Sequence, residues 1–340
     1  MNSSLISKTE SNFIKGIAVM LLLQHHLFAF DNRIPDLNNL IHMFNYYNLE
    51  KIIGIYGKIC VPIFLFISGY GFTVSNKREE KYYLHKIIMI YKAVALVFFI
   101  FIPICFFIFQ DPKISLNIKL LISNFFGFSS SFNGEWWFLL PYILMVMLTP
   151  LLQRTKKYTL SILAISLVLH QVDGYGLWGQ FLYWQPAYIF GFICAVHREY
   201  INRVLSKQYI SIIFTIFTFL VVKLCYDQWK VEGLLFTTPL AVISIVFISR
   251  ITPCLIRKVI QDIGSKSLFI WLTHSFYCYH IAKNYIYSPK YTILILLNLL
   301  VISYISALLL EKLASLIDIL LFKFNLRVKF LFAKSNNKSA

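Results

Sequence analysis

About ten stretches of roughly 20 mostly apolar residues recur along the chain, and this recurrence limits the fold more than any single motif. They begin near Phe13, Tyr56, Ile87, Trp136, Thr159, Gln180, Ile210, Leu234, Leu268 and Thr292. A bilayer core takes roughly 20 such residues per helix, and in lipid every backbone polar group must bond internally. The predicted fold is therefore all-α: a polytopic membrane helix bundle with about ten transmembrane helices. Composition agrees, since only 14% of the 340 residues are charged, against about 25% in soluble domains. Mean hydropathy is +0.68. A cytosolic enzyme, a disordered scaffold and a secreted disulfide domain are excluded. The six Cys are scattered without metal or redox spacing, so no metal site is predicted.

The loop charges assign an orientation. Loops after even-numbered runs, with both ends of the chain, carry roughly 22 Lys and Arg, against 9 in the other loops. Both termini are therefore expected on the cytoplasmic side. The net charge of +17 reads as topology and attraction to anionic lipid, not as nucleic-acid binding. Residues 1–12 form the expected cytoplasmic N-terminus, 13–322 the membrane domain and 323–340 a basic cytoplasmic tail.

Ionisable residues inside an apolar run are costly, so each is a functional hypothesis. Lys15 and His26 lie eleven positions apart in the first run. That is about three helical turns, so they share a face about 16 Å apart along the axis. His25 is rotated from that line by roughly 100°. A buried neutral imidazole is a competent general base. Taken alone, Lys15 is a snorkelling anchor. Its pairing with His26 makes a site the better reading, while His25 reads as a helix–helix hydrogen bond.

Several segments together resemble the acyltransferase-3 family of integral membrane acyltransferases. Lys15-Gly16-Ile17 through His26 is similar to the opening signature, a basic residue followed eleven positions later by His. Val61 to Tyr70 resembles the apolar run ending in Ser-Gly-Phe/Tyr. Gly134-Glu135-Trp136-Trp137-Phe138-Leu139 resembles the Gly-x-x-Trp-Phe/Tyr-Leu element, and Gly264 to His274 the late helix that runs to a His. Glu311 matches the Glu that closes the domain. The matches fall in family order over nearly the whole chain. Lys15 stands where Arg is usual, and the Arg-x-x-Arg pair ahead of the third run is replaced by Lys86 and Met89.

The resemblance implies acyl transfer, most often of acetyl, from cytoplasmic acyl-CoA to a hydroxyl of a cell-surface or exported glycan. Acyl-CoA would be a co-substrate, with no permanently bound cofactor. The expected partners are the glycan acceptor, the lipid bilayer and polysaccharide-biosynthesis proteins, and the expected location is the plasma membrane, crossed many times. His26 and Lys15 are the expected catalytic residues, His26 as general base or as transient acyl carrier. Lys86, Arg78 and Ser68 are the expected acyl-CoA contacts, although the basic cluster equally fits cytoplasmic topology, and Gly69 beside Ser68 equally fits helix packing. Trp136, Trp137 and His274 are the expected acceptor contacts; the two Trp equally fit an interfacial belt. Glu311 supports the domain or pairs with a nearby Lys. A glycan or lipid transporter is the competing class, but the inverted repeats common in transporters are not seen.

Overall fold

The computed structural model describes residues 5–42, 47–77, 79–172, 174, 176–204 and 208–336, with side chains omitted at 47–48, 208–211 and 321–336. Helices dominate the described residues, and the one β-type contact is an isolated bridge, Ile41 with Tyr291. Arg78 lies outside them.

The first helix, α1 (Lys8–Phe28), starts earlier than the apolar run because Ser7 caps it. The Ser7 hydroxyl accepts from the Glu10 amide at 3.2 Å, and the Glu10 carboxylate accepts from the Ser7 amide at 2.8 Å. This reciprocal pair satisfies two donors that a helix N-terminus leaves open. The chain then passes through α2 (Tyr47–Tyr56) and a short 3-10 turn, Gly57–Ile59, into α3 (Cys60–Ser75). The second apolar segment thus begins near Leu49, not Tyr56, and the loop before it is shorter than expected. After α3 come α4 (Glu80–Pro103), ending in a π-helical turn over Ile104–Ile108, and a short α5 (Ile118–Phe125). Then follow α6 (Leu139–Arg154), α7 (Thr159–His170), α8 (Gly176–Val196) and α9 (Arg198–Val204).

Segment α10 (Gln208–Ile251) is two helices rather than one. Lys230 breaks the helix with φ 52° and ψ −124°. Ser244 donates to Thr218 at 2.9 Å, and Phe247 meets Phe214 edge to face, with ring centroids 5.9 Å apart. Both contacts pair residues at nearly equal distances on either side of Lys230, so the chain reverses there as an antiparallel hairpin. Two apolar runs with a turn between them match the sequence expectation at this point. The remaining helices are α11 (Cys254–Ser265), α12 (Ser267–Ser275) with a π turn over Phe276–Ile281, α13 (Lys283–Tyr287) and α14 (Thr292–Asn336). Helix α14 runs unbroken past residue 322, so the backbone has no boundary between membrane domain and tail.

Among the described residues, five segments are long and apolar enough to cross a membrane: Leu49–Ser75, Glu80–Ile108, Gly134–Arg154, Ile212–Ile251 and Thr292–Leu320. Helices α1 and α8 have 21 residues each, about the bilayer thickness at 1.5 Å per residue, but their polar content keeps them outside that set. Phe99, Phe107, Leu309 and Leu320 project at 64–69% exposure from α4, its π turn and α14. A belt of exposed apolar side chains of this size suits lipid and not water.

Two crossings set the geometry of the bundle. At the contact of α3 with α8, a Cβ on Gly69 would stand 2.2 Å from the Tyr188 carbonyl, and one on Gly191 2.0 Å from the Phe66 carbonyl. The reciprocal glycines let the two backbones touch, the arrangement that drives helix association in lipid. Gly69 is thus a packing contact. Where α1 meets α11, Gly16 and Gly264 do the same work against Ile260 and Asn12. Lys92 of α4 pairs with Asp318 of α14 on the half-exposed side of both helices.

Candidate active site

A partly open cavity of about 230 Å³ runs from Lys15 to His26 along α1. Ser68, Glu135, Trp137 and Lys58 also line it, so four residues expected from sequence (Lys15, His26, Ser68, Trp137) share a single chamber. The helical spacing of Lys15 and His26 accounts for their meeting on one wall.

His26 sits in the last turn of α1, 4% exposed. Its Nε2 is 3.3 Å from a Glu135 carboxylate oxygen, and its Nδ1 is 3.0 Å from the Tyr279 hydroxyl. Tyr279 also donates to the His26 carbonyl at 2.8 Å and accepts from Arg33 at 2.8 Å. A phenol has one proton and two lone pairs. With its proton on the carbonyl and one lone pair taken by Arg33, the other accepts from Nδ1–H. The hydrogen-bond network thereby assigns the first ring proton to Nδ1 and leaves Nε2 to gain or lose the second, its N–H bonding the Glu135 carboxylate when the ring is protonated. Arg33 lies 3.7 Å from the second Glu135 oxygen and partly balances its charge.

Glu135 is held by local structure. Asn133 caps the 3-10 turn Gly134–Phe138, its side-chain oxygen accepting from the Glu135 amide at 3.1 Å. The same oxygen accepts from the Ser275 hydroxyl at 2.9 Å, and the Trp136 indole donates to the Leu272 carbonyl at 3.2 Å. Two bonds to α12 thus fix the turn that aims Glu135 at His26.

The other expected residues fall elsewhere. Trp136 is 1% exposed and packs against Phe98 and Phe276 in the core, away from the cavity. His274 lies behind His26, with ring centroids 4.9 Å apart. Its Nδ1 bonds to the Trp271 carbonyl at 2.8 Å, while its buried Nε2 has no partner. Ser68 donates back to the Phe64 carbonyl at 2.8 Å. Lys86 lies outside the cavity, over the Tyr82 ring. Glu311 accepts from Lys266 at 2.6 Å, the pairing with a nearby Lys anticipated as one of its two readings, although it lies in the middle of α14 rather than at a helix end. His25 also lines the cavity, although the helical wheel turned it away; its Nδ1 is engaged by the Gly54 carbonyl at 2.8 Å. Glu135, Arg33, Lys58 and Tyr279 were given no role from sequence. Glu135 opens an apolar run, and the cost of an acid there is the signal that could have found it.

The fold and the cavity describe a helical membrane protein with a buried His–Glu pair. Residues 9–312 match the family model for the acyltransferase domain of the acyltransferase-3 type, so the chain belongs to that family. It is a membrane acyltransferase by family. No curated protein and no solved structure matches the chain significantly.

Proposed function

We propose that this protein transfers an acetyl group from cytoplasmic acetyl-CoA to a hydroxyl of a cell-surface or exported glycan. The observation that carries the reading is the His26–Glu135 pair facing a cavity that reaches Lys15. The acceptor hydroxyl gives its proton to His26 Nε2 as its oxygen bonds to the thioester carbonyl carbon. Glu135 stabilises the imidazolium so formed. The C–S bond then breaks, and His26 returns the proton to the departing thiolate, releasing free CoA. Lys15 attracts the CoA phosphates at the far end of the cavity. A space of about 230 Å³ is below the roughly 300–1,000 Å³ of whole-ligand pockets. It suits the reactive ends of two substrates and a small acyl group.

In this reading about ten apolar segments cross the plasma membrane, with both termini cytoplasmic and polysaccharide-biosynthesis proteins as neighbours. Cysteine placed by Asn336→Cys is then protected from external labelling in intact cells, and Ser130→Cys is labelled. External labelling at 336 would overturn the orientation.

The test of function compares adjacent histidines. His26→Ala removes the base and lowers the transfer rate roughly 100- to 10,000-fold. His25→Ala loses one buried hydrogen bond, about 1–3 kcal/mol of stability, and keeps much of the activity. Glycan O-acetyl content by NMR, at matched membrane levels of each variant, reads the difference. Normal acetylation by His26→Ala cells refutes the mechanism. A deletion strain that loses no acyl group refutes the acyl-transfer reading itself and favours transport.

A further inference from the structure

Lys58 follows Gly57 in the 3-10 turn that enters α3. A Cβ on Gly57 would stand 2.5 Å from the Leu21 carbonyl and 3.1 Å from His25 Cβ, so this turn rests on α1 at the level of the two histidines. The Lys58 side chain enters the cavity there. Its ammonium lies 5.4 Å from the centre of the Trp137 ring and 6.0 Å from that of Trp184. Trp184 is buried behind Trp137, with its indole N–H bonded to Gln180 at 3.1 Å. Trp137 lines the chamber.

The charges at this end do not balance. Arg33 and Lys58 are both cations, and Glu135 is the carboxylate between them. Arg33 approaches Glu135 to 3.7 Å. Lys58 has no carboxylate within 4.0 Å among the described residues. Ring faces compensate only part of what hydration gives an ammonium. Lys58 is therefore left without a carboxylate partner among the described residues, next to the base that accepts a hydroxyl proton and beside a flat aromatic side chain. Lys15 lies three helical turns away, about 16 Å along α1, and serves the anions of the donor. An anion at Lys58 belongs to the other substrate.

Building on the acyl-transfer reading above, we propose that the acceptor is an acidic sugar, its carboxylate or phosphate paired with Lys58 and its ring stacked on Trp137. The C–H face of a sugar packs on an indole while a charge-assisted bond fixes its orientation. That orientation presents a ring hydroxyl to His26.

The test is binding, which does not need turnover. Full-length protein in nanodiscs is titrated with methyl β-D-glucuronide, a methyl glucoside 6-phosphate and uncharged methyl β-D-glucoside, with ligand-observed NMR as readout. At least one anionic glycoside binds saturably, the one that does tells carboxylate from phosphate, and the neutral glycoside binds at least tenfold more weakly. Lys58→Met weakens the anionic glycoside about 10- to 100-fold. Lys58→Arg restores most of it, which separates lost charge from lost fold. Binding is read without acetyl-CoA and without turnover, so a failed acetylation assay and a failed acceptor assignment remain distinct results. No saturable binding of either anion, equal binding of the neutral glycoside, or unchanged binding by Lys58→Met overturns the proposal. So does a Lys58→Met variant whose one defect is in acetyl-CoA binding, because Lys58 would then belong to the donor.

Discussion

Glu135→Gln isolates what the carboxylate contributes while keeping the side chain's size. In wild type an oxygen of Glu135 lies 3.3 Å from His26 Nε2. Opposite unit charges at that distance attract by about 5 kcal/mol at an effective dielectric of about 20. Arg33 draws on the same carboxylate from 3.7 Å, and the side chain is 16% exposed. Half the Coulomb figure, roughly 2.5 kcal/mol, is a reasonable working value for the imidazolium-like transition state. That predicts a loss of about 70-fold in kcat, with the donor KM nearly unchanged, since Lys15 is remote from the substitution. The assay is initial-rate release of free thiol from acetyl-CoA by purified protein, with unacetylated glycan from a deletion strain as acceptor. A Glu135→Gln enzyme turning over within threefold of wild type, at equal folded amount, would show that His26 works without its carboxylate partner.

Three further outcomes are expected. Lys15→Ala raises the acetyl-CoA KM about tenfold, while Lys15→Arg keeps or improves it, because a guanidinium adds a fork suited to phosphate; an unchanged KM in Lys15→Ala leaves Lys15 as an anchor. Tyr279→Phe removes the hydroxyl that joins His26 Nδ1, the His26 carbonyl and Arg33, and lowers kcat about tenfold, the equivalent of roughly 1.4 kcal/mol of positioning; full activity would contradict the tautomer assignment. Gly191→Val drives a side chain into the Phe66 carbonyl, 2.0 Å from the Cβ position, and destabilises the protein by at least about 1–3 kcal/mol. Thermal unfolding in detergent measures it, and an unshifted transition would mean that α3 and α8 part without cost.

The sequence made the helical class readable because lipid leaves continuous apolar runs few alternatives. The pairing of Lys15 with His26 was readable for a similar reason: helical periodicity places residues within one helix. Contacts between helices were not readable in that way. Glu135 stood inside a quoted motif, yet nothing in its spacing indicated which of several histidines it would face. Tyr279 lies in a π-helical turn, where the usual wheel no longer predicts direction. Trp136 and Trp137 are neighbours with opposite fates, one in the core and one on the cavity. A 3-10 turn anchored by Asn133 sorts them, and such a turn has no apolar period to read. His25 was misplaced by the same simplification: a wheel describes an angle around one helix, whereas the cavity wraps around the end of α1.

The backbone contact between α3 and α8 divides the chamber mechanically. Helices that touch through main-chain atoms have no rotamers to exchange at the contact, so they travel together as a stiff beam. Ser68 rides on that beam, next to the crossing glycine. The opposite wall is built from large side chains, including Phe138 and Trp271, whose rings meet at 5.7 Å. Adjustments in chamber size are therefore borne by the aromatic wall. Sequence drift can remodel that wall by single substitutions, while the beam resists any change larger than a hydrogen atom.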